Sequence, residues 1–86
     1  MAMKDDIADG FATIEVHYTT VKTLKINQRQ FDNLKREDIQ GVNVINMMIW
    51  GADIQIEEKL KEPVVIGENG LIATLKDDKW VITENR

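Results

Sequence analysis

From Phe11 to Ile26 the chain is rich in apolar and β-branched side chains, several of them at alternate positions. Ile14, Val16 and Tyr18 share one face, and Leu24 and Ile26 keep the same parity; Glu15, His17 and Thr19 take the other face. Period two with this composition predicts a strand. The segment is long for a single strand, so the pattern predicts a bend, bulge or break near Thr19-Thr20. Residues 1–10, with Ile7 as their one good anchor, read as a flexible N-terminal lead.

The period then changes. Asn27 is placed to cap a helix over about residues 28–37, with Gln30 three positions on as the reciprocal partner of a capping box. Ile26 and Phe31 fall at the staple positions, and Phe31 with Leu34 forms a buried stripe. Asp32 and Arg36 are spaced i, i+4 with the acid first, the favourable order, and Gly41 follows as a stop.

Val42 to Trp50 reads V-N-V-I-N-M-M-I-W and is apolar on both faces. Its isoleucines approach helical spacing, but Gly41 and the β-branched residues favour a strand. A two-residue turn on Gly51-Ala52, glycine first, pairs Trp50 with Asp53, Ile49 with Ile54 and Met47 with Ile56. One face then holds Ile45, Met47, Ile49, Ile54 and Ile56. The reverse holds Val42, Val44, Met48 and Trp50 beside Asp53, Gln55, Glu57 and Lys59. A greasy strand next to a neighbour that is wet on one side is a surface in want of a cover.

Pro63 interrupts the ladder. Asn69-Gly70 is a strong hairpin signal, and a turn centred there opposes Ile66 to Ala73 and Val64 to Leu75. A second turn on Asp77-Asp78 opposes Leu75 to Trp80 and Ala73 to Ile82. Both registers place Val64, Ile66, Leu71, Ala73, Leu75, Trp80 and Ile82 on one face, as a meander requires. Short connections imply antiparallel neighbours. The expected fold is α+β: a curled, mainly antiparallel sheet or partly closed barrel of five to six short strands with one helix, forming a single domain over residues 11–86.

The chain has 86 residues, enough for one thin core. It contains no cysteine, which excludes disulfides, thiolate zinc sites and cysteine nucleophiles and favours a cytoplasmic home. No apolar run is long enough for a membrane helix, and the start lacks the order of a signal peptide. Eleven isoleucines, with many lysines and asparagines, are typical of AT-rich coding sequence, as in a low-GC bacterium or its phage. The composition is that of a small soluble domain.

Net charge is −4 but unevenly spread. Acids dominate residues 1–19 and 37–86. The middle is basic through Lys22, Lys25, Arg29, Lys35 and Arg36. Together with Asn27 at the helix start, these are the candidate residues for an anion or for nucleic-acid phosphates. Against nucleic acid stand a pI near 4.9 and the lack of stacking aromatics around the cations. An acidic inhibitor imitating nucleic acid is the converse reading of the 37–86 half.

Catalytic and metal chemistry finds little footing. His17 is the single histidine, sharing its predicted strand face with Glu15, and no nucleophile is coupled to the pair. D-D-I-A-D-G at residues 5–10 resembles the opening of a calcium loop, yet Ile7 and Val16 would fall where oxygen ligands are required. Glu57/Glu58 would point to opposite strand faces, and Asp77/Asp78 fit a turn. G-E-N-G lacks the lysine and helix of a phosphate loop. No enzyme, cofactor or metal is expected. The favoured expectation is a non-enzymatic interaction module that binds a protein partner or itself, as a homo-oligomer, through Val42, Val44, Met48 and Trp50.

Overall fold

A computed structural model describes residues 3–37 and 39–84. Two helices and seven strands follow one another: α1 Met3–Glu15, β1 Val21–Ile26, α2 Gln28–Arg36, β2 Val42–Asn43, β3 Met48–Ile49, β4 Ala52–Ile56, β5 Val64–Gly67, β6 Leu71–Lys76 and β7 Lys79–Glu84. The strands form one open sheet in the order β2-β3-β4-β1-β5-β6-β7. The fold is α+β as expected, with one more helix and a larger, mixed sheet. β1 and β4 run parallel and the other pairs antiparallel. The parallel pair arises because the chain between β1 and β4 holds a helix and a small hairpin, long enough for a crossover.

The first difference lies at the N-terminus. Residues 3–15 are not a lead followed by a strand but a helix, with Ile7, Phe11 and Ile14 buried against the sheet. Met3, Ile7, Phe11 and Ile14 are spaced by four, four and three, one stripe of a helix. Burying each of the three inner side chains contributes about 1.5–3 kcal/mol, more than the interior Gly10 costs in propensity, about 1 kcal/mol. Gly10 has its own reason. A Cβ there would lie 2.5 Å from the Trp80 ring, whose indole N–H donates to the Asp6 carbonyl at 2.8 Å. The period-two pattern of Val16 and Tyr18 marks the exit from the helix: both are exposed, and Tyr18 turns left-handed at φ 62°. Thr19-Thr20 is not a bend within a strand or a break between two strands but lies in the link from α1 to β1, which begins at Val21.

α1 is held at its start by a residue far along the chain. Both carboxylate oxygens of Glu37 accept from its first amides, Met3 N at 3.1 Å and Lys4 N at 3.0 Å. A carboxylate here satisfies unpaired donors and complements the helix dipole.

α2 forms as its caps require. Gln30 N donates to Asn27 Oδ1 at 2.8 Å, and Asn27 N donates to Gln30 Oε1 at 2.9 Å. Phe31 and Leu34 are buried. Asp32 pairs with Lys35 at 3.3 Å rather than with Arg36, and accepts from Gln28 Nε2 at 3.0 Å. These contacts, Gln28 first and Lys35 next, hold its carboxyl below the ordinary aspartate value.

Both helices feed the same core as Leu24, Ile26, Ala52, Ile54, Val65 and Ala73. Through the registers these sheet residues all share one face. The helices therefore cover one side of the sheet, and no described helix lies on the other.

Of the two hairpins of the meander, one differs from the expected register by one residue, and the slip turns side chains over. The β5–β6 loop is Glu68-Asn69-Gly70. Gly70 N donates to Gly67 O at 3.0 Å and Gly70 is left-handed at φ 90°, a type I turn plus one residue. Val65, not Ile66, then opposes Ala73, and Ile66 opposes Ile72. The Asp77-Asp78 turn has positive φ at both residues (49° and 64°), and its register is the expected one, with Leu75 opposite Trp80 and Ala73 opposite Ile82.

Candidate functional site

The stretch 42–50 is not one strand. Asn43 Oδ1 accepts from Ile45 N at 3.1 Å and Asn46 N at 3.0 Å, the local turn that asparagine favours. The chain folds back at Val44–Met47, so β2 pairs with β3. The next turn is Trp50-Gly51, both at positive φ (48° and 85°), not Gly51-Ala52. Ile49 therefore opposes Ala52, and Met48 opposes Asp53.

The four partner-binding candidates are consequently not brought onto one face. Val42 opposes buried Ile49 and packs against the core on the helix side. Val44 stands exposed in the turn, at the rim of a cleft shared with Leu34, Lys35, Ile39 and Val42. Met48 shares the opposite, helix-free face with Asp53. Trp50 is engaged by its own chain: its indole N–H donates to Gln40 O at 3.0 Å, its ring lies against Gly41, and it meets Phe11 edge-on at 5.3 Å.

The basic candidates also divide. Lys25 lies on the helix-free face near Glu57, at 3.9 Å. α2, with Arg29, Lys35 and Arg36, packs on the other side through Phe31 and Leu34. Lys22 and Arg29 are exposed, and Lys35 is taken by Asp32 and by the Phe31 ring, 5.2 Å from its centroid. Asn27 is occupied at both ends, since its Nδ2 also donates to Leu60 O at 2.9 Å. His17 and Glu15 are exposed at the end of α1. Asp5–Gly10 is helical and forms no loop. Among the described residues no group of three or more acid or histidine side chains is placed to hold a metal ion.

The feature that sequence reasoning missed is the helix-free face itself. The registers lay out two rows across it. Asp53, Thr23, Ile66, Ile72 and Thr83 form one; Gln55, Lys25, Val64, Thr74 and Val81 form the other. Its centre, on β5–β7, is an aliphatic strip of Val64, Ile66, Ile72 and Val81. The first three are half-buried, Thr23 beside Ile66 is buried, and Val81 is 42% exposed. Asp53 and Glu57 flank the strip on the β4 side. Lys76 and Lys79, opposite each other, flank it at the β6–β7 corner. The signal was present in sequence: V-V-I at 64–66, L-I at 71–72 and W-V-I at 80–82 are each apolar on consecutive, hence opposite-facing, positions. The two-faced greasiness noticed at 42–50 belongs more fully to these three strands.

Comparison of the chain with protein families, with curated proteins and with solved structures returns no match.

Proposed function

We propose that this protein is a non-enzymatic interaction module whose helix-free sheet face docks another protein. The observation that carries this reading is the one-sided placement of the helices over strands that are apolar on both sides. A sheet face bearing four aliphatic side chains gains from a second layer. A β-branched surface bordered by charges, Lys25 beside Val64 among them, has the makings of an interface centre inside a polar rim. The partner lays an aliphatic helix or sheet face across β5–β7. It offers an acidic group to Lys76 and Lys79 and a basic one toward Asp53. Met48 extends the face, so one of the four candidates from the 42–50 stretch remains part of it.

The test is substitution of Ile66→Glu together with Ile72→Glu, both on the uncovered side. The far-UV circular dichroism should be kept, while the thermal transition falls because the two half-buried positions oppose each other, so binding is compared below that transition. A partner that the native chain captures from its host's extract should be lost, and its affinity for the purified native chain should fall at least tenfold in the variant. Equal binding by both chains, or no specific partner for the native chain, overturns the reading.

A further inference from the structure

The two ends of the sheet are unlike. β2 is two residues long, whereas β7 is six and among the described residues pairs only with β6. The Asp77-Asp78 turn makes Lys76 and Lys79 the hydrogen-bonded pair that flanks it. Leu75 N donates in the other direction, to Pro63 O at 3.2 Å, so Thr74 and Lys76 are the residues that bond β7. By alternation Lys79, Val81 and Thr83 turn their peptide groups toward β6. Trp80 and Ile82 turn theirs outward. Natural edges of this length carry guards, such as a proline, a bulge or a charge at mid-strand. β7 carries charges only at its ends, Lys79 and Glu84, and Trp80-Val81-Ile82 between them has no guard.

We propose that β7 pairs antiparallel with β7 of a second copy about a two-fold axis, with Val81 opposite Val81. The occupant follows from the backbone. An antiparallel edge is complementary to itself, because a two-fold axis normal to the sheet sets the outward groups of Trp80 against those of Ile82 and keeps each face on its own side. This register forms four hydrogen bonds. It places Lys79 opposite Thr83, and the like charges that meet, Glu84 beside Asp78, do so only at the two ends of the ribbon. Val81, the sheet's most exposed apolar side chain on the helix-free face, is covered at the axis. The two aliphatic strips become one continuous surface. Because β2 is too short to template a further strand, the assembly closes at two. The contact uses the strand edge and not the open face, so it stands or falls separately from partner docking.

An edge contact of this kind belongs to the weak class, below about 1,200 Å² of total buried surface, so association is read at high protein concentration. Sedimentation of the native chain should show a monomer–dimer equilibrium, and Val81→Lys should shift it to monomer with an unchanged circular dichroism spectrum. The chain has no cysteine, so Val81→Cys introduces a single thiol. Opposed residues of the non-hydrogen-bonded type lie about 4.5 Å apart at Cα, within disulfide reach. The two copies of residue 83 would be about 13 Å apart along the strands at about 3.3 Å per residue. Under mild oxidation Val81→Cys should therefore cross-link at least tenfold faster than Thr83→Cys. A native chain that stays monomeric at every concentration, or equal cross-linking of the two variants, overturns the proposal. The Ile66→Glu, Ile72→Glu chain separates the two readings: it should still dimerise while failing to hold the partner.

Discussion

Gly10 is the residue on which the helix layer fits the sheet. It lies in mid-helix, where alanine is ordinarily better by about 1 kcal/mol. Here the added methyl would meet the Trp80 ring at 2.5 Å, and that ring is tethered to Asp6. Overpacking against a tethered aromatic costs about 1–3 kcal/mol, so the steric cost wins. Gly10→Ala is expected to lower the denaturant midpoint without changing the slope of the transition. Trp50 teaches the converse lesson. Its composition suggested a partner-seeking aromatic, yet its indole N–H and ring are already engaged by Gln40, Gly41 and Phe11. A single residue type does not reveal whether its contacts are made within the chain.

At the scale of elements, local chemistry was legible and pairing was not. α2 could be read from Asn27, Gln30, Phe31 and Leu34 because a capping box and a stripe are properties of neighbours in sequence. Asn27→Ala removes the bond to Gln30 N and also the one to Leu60 O. A cap is worth about 0.5–2 kcal/mol, and the loss should appear as a lower melting temperature and faster amide exchange in the first turn of α2. The Asp77-Asp78 hairpin was equally readable, since a two-residue turn leaves no freedom of register. The Asn69-Gly70 hairpin was misread by one position, because a three-residue loop uses the same glycine one place later. That slip carried Val64 and Ile66 from the core to the uncovered side. α1 was hidden by Val16 and Tyr18, whose even spacing belongs to the exit of the helix, and by Gly10, whose purpose appears only with Trp80 beside it. The one-sided strip on β5–β7 was therefore visible only as three short apolar runs, with nothing to say which side each would face.

For the whole molecule the decisive contacts join distant parts of the chain. Trp80 of β7 bonds Asp6 of α1, and Glu37 at the end of α2 holds the first amides of the same helix. Trp80→Phe should cost about 1–3 kcal/mol through the lost hydrogen bond and the gap left beside Gly10. Hydrogen exchange should show α1 losing protection more than α2. The outcome that counts against this account is equal loss across both helices.

The tie between Asp6 and Trp80 also sets an order of events at the ribosome. α1 has its greasy stripe of Ile7, Phe11 and Ile14 ready long before β7, which packs against it, has been synthesised. At roughly 5–20 residues per second, that stripe waits several seconds without its berth. Until β7 has been made, that stripe lacks the strand whose Trp80 ties α1 down.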